Sequence, residues 1–199
     1  MSEADALADL DAAIAGADRI VAGIRADQWG LPTPLDRVDV RALVNHLVIG
    51  NLMFAALVTE TESPTGDADH LGEDPLGAFR MAAGRLAAAL RTPGMAARTY
   101  ALPIGQVPGS ALAGIRITEL LGHGWDLARA TGQPPGFPDD VAERGLTEAR
   151  NQLRNRPSGP DSPFAPQMPV PDDAPAIDRL AGFLGRGVGS PGDRRMGTD

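Results

Sequence analysis

The sequence predicts an all-α protein, a four-helix bundle with a long crossover and a short extra C-terminal helix. Ala and Leu dominate an apolar content of 43%, while aromatic residues make up only 4% of the chain, and this composition favours helices over strands. Apolar residues also recur at intervals of three and four in several long segments, which is the period of an amphipathic helix. The 199 residues suffice for one domain with a buried core.

The first two helices have recognisable starts. Ser2 is a suitable N-cap, and the periodic apolar residues after it predict a helix to about Ala26. Two prolines and a glycine within residues 27–39 end this helix and impose an extended connector. Asp39 is the expected N-cap of a second helix that runs to about Glu60. The apolar seam of this second helix is Leu43, Leu47, Gly50, Phe54 and Leu57.

Four further helical segments follow. The predicted ranges are 75–91, about 110–131, about 139–155 and 174–186. Pro75 stands at the start of the first of them, where proline is favoured, and Gly132 ends the second. Between these two helices, residues 98–102 form a short β-like run inside a Gly/Pro-rich crossover.

The chain is expected to form a single domain. No internal repeat is present, and a proline-rich stretch at 156–175 is expected to run extended over the surface. Residues 1–188 are therefore predicted to be one helical bundle domain, and residues 189–199 a disordered tail.

The composition excludes several kinds of chemistry and partner. A net charge of -8 and a sequence pI of about 4.8 argue against nucleic acid, which requires a basic surface. All 18 positively charged residues are arginines, so Schiff-base chemistry has no lysine to use. The absence of cysteine excludes disulfides, thiolate metal ligands and cysteine nucleophiles.

The sequence also predicts where the protein resides. The N-terminal segment is acidic and amphipathic, unlike a signal peptide, and no apolar run is judged to approach the ~18 residues that span a bilayer. We therefore expect a cytoplasmic protein without a membrane partner. An Ala-rich bundle with exposed apolar positions could form a homodimer.

Three residues form a candidate metal site. Glu119 and His123 are four residues apart, so an α-helix places both side chains on one face. His46 lies among apolar residues of the second helix, so it is expected to face inward. Two imidazoles and one carboxylate are the ligands of a divalent metal that keeps a coordination position open.

Each of these residues also has a plainer interpretation. His46 could be a core histidine bonded to a backbone carbonyl, and Glu119 an exposed carboxylate paired with Arg116 or His123. Two details favour the metal site. Glu119 shares its helical face with apolar residues, and burying a carboxylate with two imidazoles is costly without a cation. Gly122 also leaves room beside His123, as a ligand pocket requires.

Asp126 and Arg116 are the candidates for supporting roles around the site. Asp126 follows His123 by three residues and could orient its imidazole by accepting a hydrogen bond. Asp126 could equally pair with Arg129 or Arg116, and the sequence leaves these alternatives open.

The remaining histidine and the tryptophans are expected to take no part in the site. His70 lies in an acidic loop, where a solvated side chain is expected, and Trp29 and Trp125 are expected to pack. Neither a Ser-His-Asp arrangement nor a phosphate-binding glycine motif is evident.

Most of the chain resembles a known family. The matching segments are WGLPTPLDRVDVRALVNHLVIGN, LGEDPLGAFRMAA, ITELLGHGWDLARATGQP and FAPQMPVPDDAPAIDRLAGFLGR. They are similar to the actinobacterial branch of the DinB-like superfamily, which is related to the metal-binding N-terminal domain of mycothiol-dependent maleylpyruvate isomerase. That isomerase carries an additional C-terminal domain that helps to build its active site, and the present chain is expected to lack it.

The resemblance implies both a fold and a site. It implies a four-helix bundle that holds a divalent metal, zinc or nickel, through a histidine of the second helix and a Glu-or-Asp/His pair of the fourth. These positions correspond to His46, Glu119 and His123. It also implies a low-molecular-weight thiol such as mycothiol as a cofactor and a small molecule as the substrate.

Three functions compete at this point. The first is a transferase or isomerase in which the metal lowers the pKa of a bound thiol and the thiolate attacks an electrophile. The second is a metal-dependent hydrolase, for which Asp126 is the candidate general base. The third is a non-catalytic metal-binding or stress-associated bundle, and a fourth protein ligand would favour it.

Overall fold

Among the residues that the structure describes, six α-helices and one small hairpin make up the fold. The structure, a computed structural model, describes residues 2–64, 66, 68–103, 105–154 and 165–188. The helices are α1 (Glu3–Ala22), α2 (Val40–Thr59), α3 (Pro75–Ala89), α4 (Gly109–Thr131), α5 (Asp139–Gln152) and α6 (Ala176–Phe183). The strands are β1 (Thr99–Leu102) and β2 (Gly105–Pro108). The predicted all-α fold, a four-helix bundle with an extra C-terminal helix, is confirmed.

The bundle consists of α1 to α4. The main packing pairs are α1 with α4, α4 with α2, α2 with α3, and α3 with α1, so the four helices enclose one core. The largest side chains in that core include Trp125, Phe79 and Leu10, all of which are fully buried. Helices α5 and α6 pack on each other and on α4. Helix α4 is therefore covered on several sides, and any polar residue on it needs a partner.

Local signals fix three of the helix ends as predicted. The hydroxyl of Ser2 accepts the N–H of Asp5, whose carboxylate accepts the N–H of Ser2 in return. Asp39 accepts the N–H of Ala42 at 2.8 Å and so starts α2. Gly132 ends α4 in the left-handed conformation, with a φ of 70° that glycine adopts without strain.

The prediction that the first helix reaches Ala26 was wrong, because α1 ends at Ala22. The side chain of Gln133, far along the chain, donates to the carbonyl of Ile20 at 3.0 Å. The same side chain fills the space where a Cβ of Gly23 would lie. Gly23 is thus the C-cap of α1, and a residue from after α4 adds a hydrogen bond to the last turn that the local apolar pattern does not indicate.

The crossover between α3 and α4 contains more strand than predicted. The β-like run is β1, and it pairs with β2 in an antiparallel hairpin whose register runs from Thr99↔Pro108 to Leu102↔Gly105. A short 3₁₀ turn at Met95–Ala97 precedes it. Tyr100 of β1 is buried, so the hairpin closes one end of the bundle.

Helix α2 is long and apolar enough to cross a membrane by length and composition alone. The prediction that no apolar run approaches the length of a membrane span was therefore wrong. Within the bundle, 61% of the apolar window is buried against neighbouring helices. The core helix of a bundle has the same character, so the finding is weak evidence for a membrane span.

Some predictions lie outside the described residues. These are the end of the fifth helix at 155, residues 156–164 of the proline-rich stretch and the tail 189–199. Residues 165–175 of the proline-rich stretch are described, and they form no helix or strand before α6. The single domain spanning 1–188 stays a prediction.

Substitution with alanine separates two classes of glycine in the helices. A Cβ at Gly84 would meet nothing within 4 Å, so Gly84→Ala is expected to raise the free energy of unfolding by about 1 kcal/mol through helix propensity. A Cβ at Gly124 would overlap the ring of Phe137, which lies between α4 and Gly16 of α1. Gly124→Ala is therefore expected to lower the free energy of unfolding. Urea denaturation measures both, and a rise for both variants would contradict this packing.

Candidate metal centre

His46 projects from α2 toward α4 at the edge of the buried face. Its neighbours Leu43, Leu47 and Gly50 are buried, whereas 56% of the His46 side chain is exposed. The prediction that His46 faces inward was therefore wrong. The helical positions next to it fill the core, and the imidazole lies at the rim, where it is accessible from solution.

Glu119 and His123 lie one turn apart on α4, as their spacing predicts. Glu119 Oε2 is 3.3 Å from His123 Nε2 and 3.4 Å from His46 Nε2, so one carboxylate oxygen lies beside both imidazoles. The two rings meet edge to face, with centroids 5.0 Å apart. One potential ligand atom from each residue lies within 4.8 Å of the others.

The distances from Glu119 to the two imidazoles suit a small divalent cation. Ligand bonds of ~2.0–2.1 Å in a tetrahedral site separate neighbouring donor atoms by roughly 3.4 Å. Glu119 Oε2 lies at 3.3 and 3.4 Å from the two imidazole nitrogens, and the donor atoms of all three residues lie within 4.8 Å of one another. In the part of the chain that the structure describes, no fourth His, Cys, Asp or Glu joins the group. Glu119 is 39% exposed, so the group is open to solution on one side.

The three side chains also interact electrostatically. Burial alone would raise the pKa of Glu119, but hydrogen bonds with His123 and His46, together with the charges of His123 and Arg116, hold that pKa well below its usual range. Burial alone would lower the pKa of His123, yet hydrogen bonds to Asp126 and Glu119 outweigh it and raise that pKa. Without a cation the cluster therefore contains a carboxylate that attracts positive charge strongly.

Asp126 contacts His123 at Nδ1, the ring nitrogen that does not face Glu119. Its carboxylate is fully buried, and Oδ2 lies 3.2 Å from His123 Nδ1, which leaves Nε2 facing Glu119. The same carboxylate accepts from Arg186, which follows α6, at 2.9 Å. Asp126 therefore has both an imidazole and an arginine partner. The arginine is one that sequence analysis missed, because no local pattern connects positions 60 residues apart.

Arg116 lies deeper along the contact between α2 and α4. It is buried, and its Nη2 donates to Asn51 Oδ1 at 2.9 Å, while the guanidinium lies over the ring of Phe54. It forms no ion pair with Glu119 and affects that carboxylate only through its charge. Asn51 is a second polar residue that sequence analysis missed, since it looks like an ordinary polar position in an apolar helix.

Gly122 does not leave the predicted room beside His123. A Cβ at Gly122 would lie 2.9 Å from Leu184 Cδ1, so the residue after α6 fills that space. His70 lies in the loop after α2, outside the group of potential ligands, and its backbone N–H donates to Asn45. Trp125 is buried in the core as predicted, and Trp29 is partly buried and packs against the core.

Comparisons with known proteins agree with this architecture. Residues 10–128 match the family described as Mycothiol maleylpyruvate isomerase N-terminal domain. The chain belongs to this family. The resemblance to the DinB-like superfamily that the sequence motifs indicate is thereby confirmed.

The chain is also similar to two proteins of comparable length and to a solved structure with the same fold. The uncharacterized proteins Rv0738 and MT0763 of two Mycobacterium tuberculosis strains are each 37% identical over 169 residues, which is 85% of this chain and 91% of each relative. The crystal structures of the mycothiol-dependent maleylpyruvate isomerase and of a mutant of it superpose with a TM-score of 0.60 at 17% identity. The match covers 73% of this chain and 68% of the isomerase, and it establishes the shared fold.

Proposed function

We propose that the protein binds a divalent metal, zinc or nickel, through His46, Glu119 and His123 and acts as a mycothiol-dependent transferase or isomerase. The observation that carries the proposal is the convergence of three ligand atoms from α2 and α4 within 4.8 Å. The distances from Glu119 to both imidazoles suit a tetrahedral ion, and three protein ligands leave a position for a ligand from solution. A metal bound there would supply a Lewis acid that favours the thiolate form of a coordinated thiol.

The residues of the chain divide the remaining tasks. Glu119 supplies the negative charge, and His46 and His123 supply neutral nitrogen ligands. Asp126 holds the ring of His123 so that Nε2 faces the other two donors. The exposed side of His46 provides the approach for a small molecule from solution.

A thiol cofactor fits the composition and the family. The chain contains no cysteine, so a thiol at this site comes from another molecule. The family is described by its mycothiol-dependent isomerase, which makes mycothiol the first thiol to test. The relation to an isomerase family also supports a small molecule as the electrophilic substrate.

The alternative functions receive less support. A hydrolase needs a general base beside the attacking water, but the candidate Asp126 is fully buried and already accepts from His123 and Arg186. A non-catalytic metal protein is expected to fill the coordination sphere with a fourth protein ligand, and among the described residues the group has three.

Metal content is the first test. Protein purified without a histidine tag is expected to contain near-stoichiometric zinc or nickel by elemental analysis, and His46→Ala and His123→Ala are each expected to lose it. His70→Ala is the matched control, because His70 is the remaining histidine and lies outside the cluster. Wild-type protein that stays metal-free after reconstitution with both metals would refute the proposal.

Mycothiol binding is the next measurement. Calorimetric titration of mycothiol into the metal-loaded protein is expected to give saturable binding that disappears when the metal is removed by a chelator. Equal binding to the loaded and the metal-free protein would place the thiol away from the metal. A metal that binds without any affinity for mycothiol would leave the non-catalytic function as the better description.

A further inference from the structure

The carboxylate of Asp126 is held by an arginine that lies far along the chain. Arg186 Nη2 donates to Asp126 Oδ2 at 2.9 Å, and Arg186 Nε lies 3.3 Å from Asp126 Oδ1. Oδ2 also faces His123 Nδ1 at 3.2 Å. The guanidinium therefore contacts both carboxylate oxygens, which is the forked geometry that arginine alone among the side chains provides.

This geometry fixes the orientation of Asp126. The carboxylate is fully buried and the Arg186 side chain is 14% exposed, so both charges lie in a poorly hydrated place. A buried carboxylate held at both oxygens cannot turn its plane without breaking a charged hydrogen bond. The direction in which Oδ2 points toward His123 is consequently set by Arg186.

Arg186 is itself held by the turn that follows α6. Its Nη1 donates to the carbonyl of Leu184 at 2.9 Å, and its backbone N–H donates to Ala181 at 2.9 Å. Gly185 has a φ of 92°, a conformation that glycine tolerates and that reverses the chain at this point. The turn brings the arginine back over α4.

The C-terminal segment that carries Arg186 is anchored on the same face of α4 by two further contacts. The indole N–H of Trp125 donates to Asp178 of α6 at 2.7 Å. Leu184 lies against Gly122, one residue before His123. Three positions of α4 next to or near the ligand His123 therefore contact residues 178–186, which lie beyond the region 10–128 shared with the family.

We propose that Arg186 is a positioning residue of the metal centre, which orients the His123 imidazole through Asp126 and so presents Nε2 to the metal. The inference rests on the proposed metal site. It assigns the support of that site to the C-terminal segment of this chain. Partners of this kind behind a metal-bound histidine typically alter metal affinity about 10–100-fold.

Zinc affinity in competition with a chromophoric chelator tests the proposal. Arg186→Met, which removes the charge and the fork but keeps an unbranched chain, is expected to weaken zinc binding about 10–100-fold. Arg186→Lys keeps the charge but donates from one point, so an intermediate loss is expected. Wild-type affinity in Arg186→Met would overturn the proposal.

A matched control separates positioning from a general loss of stability. Arg179 on α6 pairs with Glu143 of α5, so Arg179→Met removes a more exposed ion pair of the same C-terminal segment without touching Asp126. Arg179→Met is expected to keep wild-type zinc affinity. An equal loss of affinity in Arg179→Met and Arg186→Met would show that Arg186 acts only through the stability of the C-terminal segment, which overturns a positioning role.

A second measurement needs no metal. In nitrogen-15 NMR spectra of the metal-free protein, the Nδ1–H signal of His123 is expected to be protected from exchange in the wild type and in Arg186→Lys, and to be lost in Arg186→Met. An unchanged signal in Arg186→Met would overturn the positioning role whether or not zinc binds. Wild-type protein without zinc affinity would instead refute the proposed function, so the two failures are distinguishable. If Arg186→Met does not fold, the zinc affinity of Arg186→Lys provides the readout, and wild-type zinc affinity in that variant would overturn the proposal.

Discussion

Replacement of Trp125 by alanine is expected to lower the free energy of unfolding by about 3–5 kcal/mol. The indole is among the largest fully buried side chains and lies where α4 meets the bundle core. Its N–H also donates to Asp178 at 2.7 Å, so the substitution leaves that carboxylate without its indole partner. Urea denaturation followed by circular dichroism measures the loss.

Two control variants divide this effect into its parts. Trp125→Phe keeps most of the ring and removes the hydrogen bond, so a loss of about 1–3 kcal/mol is expected. Trp29→Phe changes a tryptophan that is only partly buried, and a smaller loss is expected there. A change below about 1 kcal/mol for Trp125→Ala would contradict the burial that the structure gives this residue. If Trp125→Ala does not fold, the loss in free energy of unfolding measured for Trp125→Phe serves as the test.

The zinc affinity is expected to rise with pH. For each proton that zinc displaces, the affinity rises about tenfold per pH unit. The metal needs neutral imidazoles, whereas hydrogen bonds to Asp126 and Glu119 raise the pKa of His123 above its ordinary value of 6.5. Below that raised pKa, zinc has to displace a proton from His123, and above it the competition ends. Chelator competition at several values between about pH 6 and pH 8 measures the slope. An affinity that does not change over this range would contradict the prediction.

The metal-free protein is the control. Above about pH 6.5 its free energy of unfolding is expected to fall as pH rises, opposite to the change in zinc affinity. The raised pKa of His123 stabilises the fold fully below 6.5, and this contribution is lost as pH rises through the folded-state value. The lowered pKa of Glu119 stabilises the fold above its ordinary 4.5 and is lost as pH falls through the folded-state value. The contribution of the cluster is therefore largest between about 4.5 and 6.5. Glu119→Gln is expected to flatten this dependence.

Features of the fold that depend on neighbouring residues could be predicted from the sequence. Ser2, Asp39 and Gly132 act within one turn of their own helices, so capping rules identify them directly. The end of α1 was predicted too late because the apolar pattern continues to Ile24, whereas the helix is capped by Gly23 and contacted there by Gln133, 113 residues after Ile20. The second strand of the hairpin was missed as well, since β2 contains a glycine and a proline and has little strand propensity of its own.

The candidate site divides in the same way. The helical spacing of Glu119 and His123 predicts that they are neighbours, and both the apolar surroundings of His46 and the family resemblance add His46 to them. The exposure of His46 was wrongly predicted because apolar neighbours on a helix do not define the rim of its buried face. The partner Arg186 and the packing of Leu184 on Gly122 depend on how α6 returns to α4, and no sequence spacing encodes that return.

The two helices that supply the potential ligands are joined by a long stretch of chain. His46 and Glu119 are separated by 73 residues, and α3 and the hairpin lie between them. A metal held by both helices would close this stretch into a loop, and a permanent cross-link over such a length removes unfolded-chain entropy worth about 4 kcal/mol. Metal binding would thus act as a reversible cross-link between α2 and α4, so that a chelator would lower the stability of the fold as well as remove the metal.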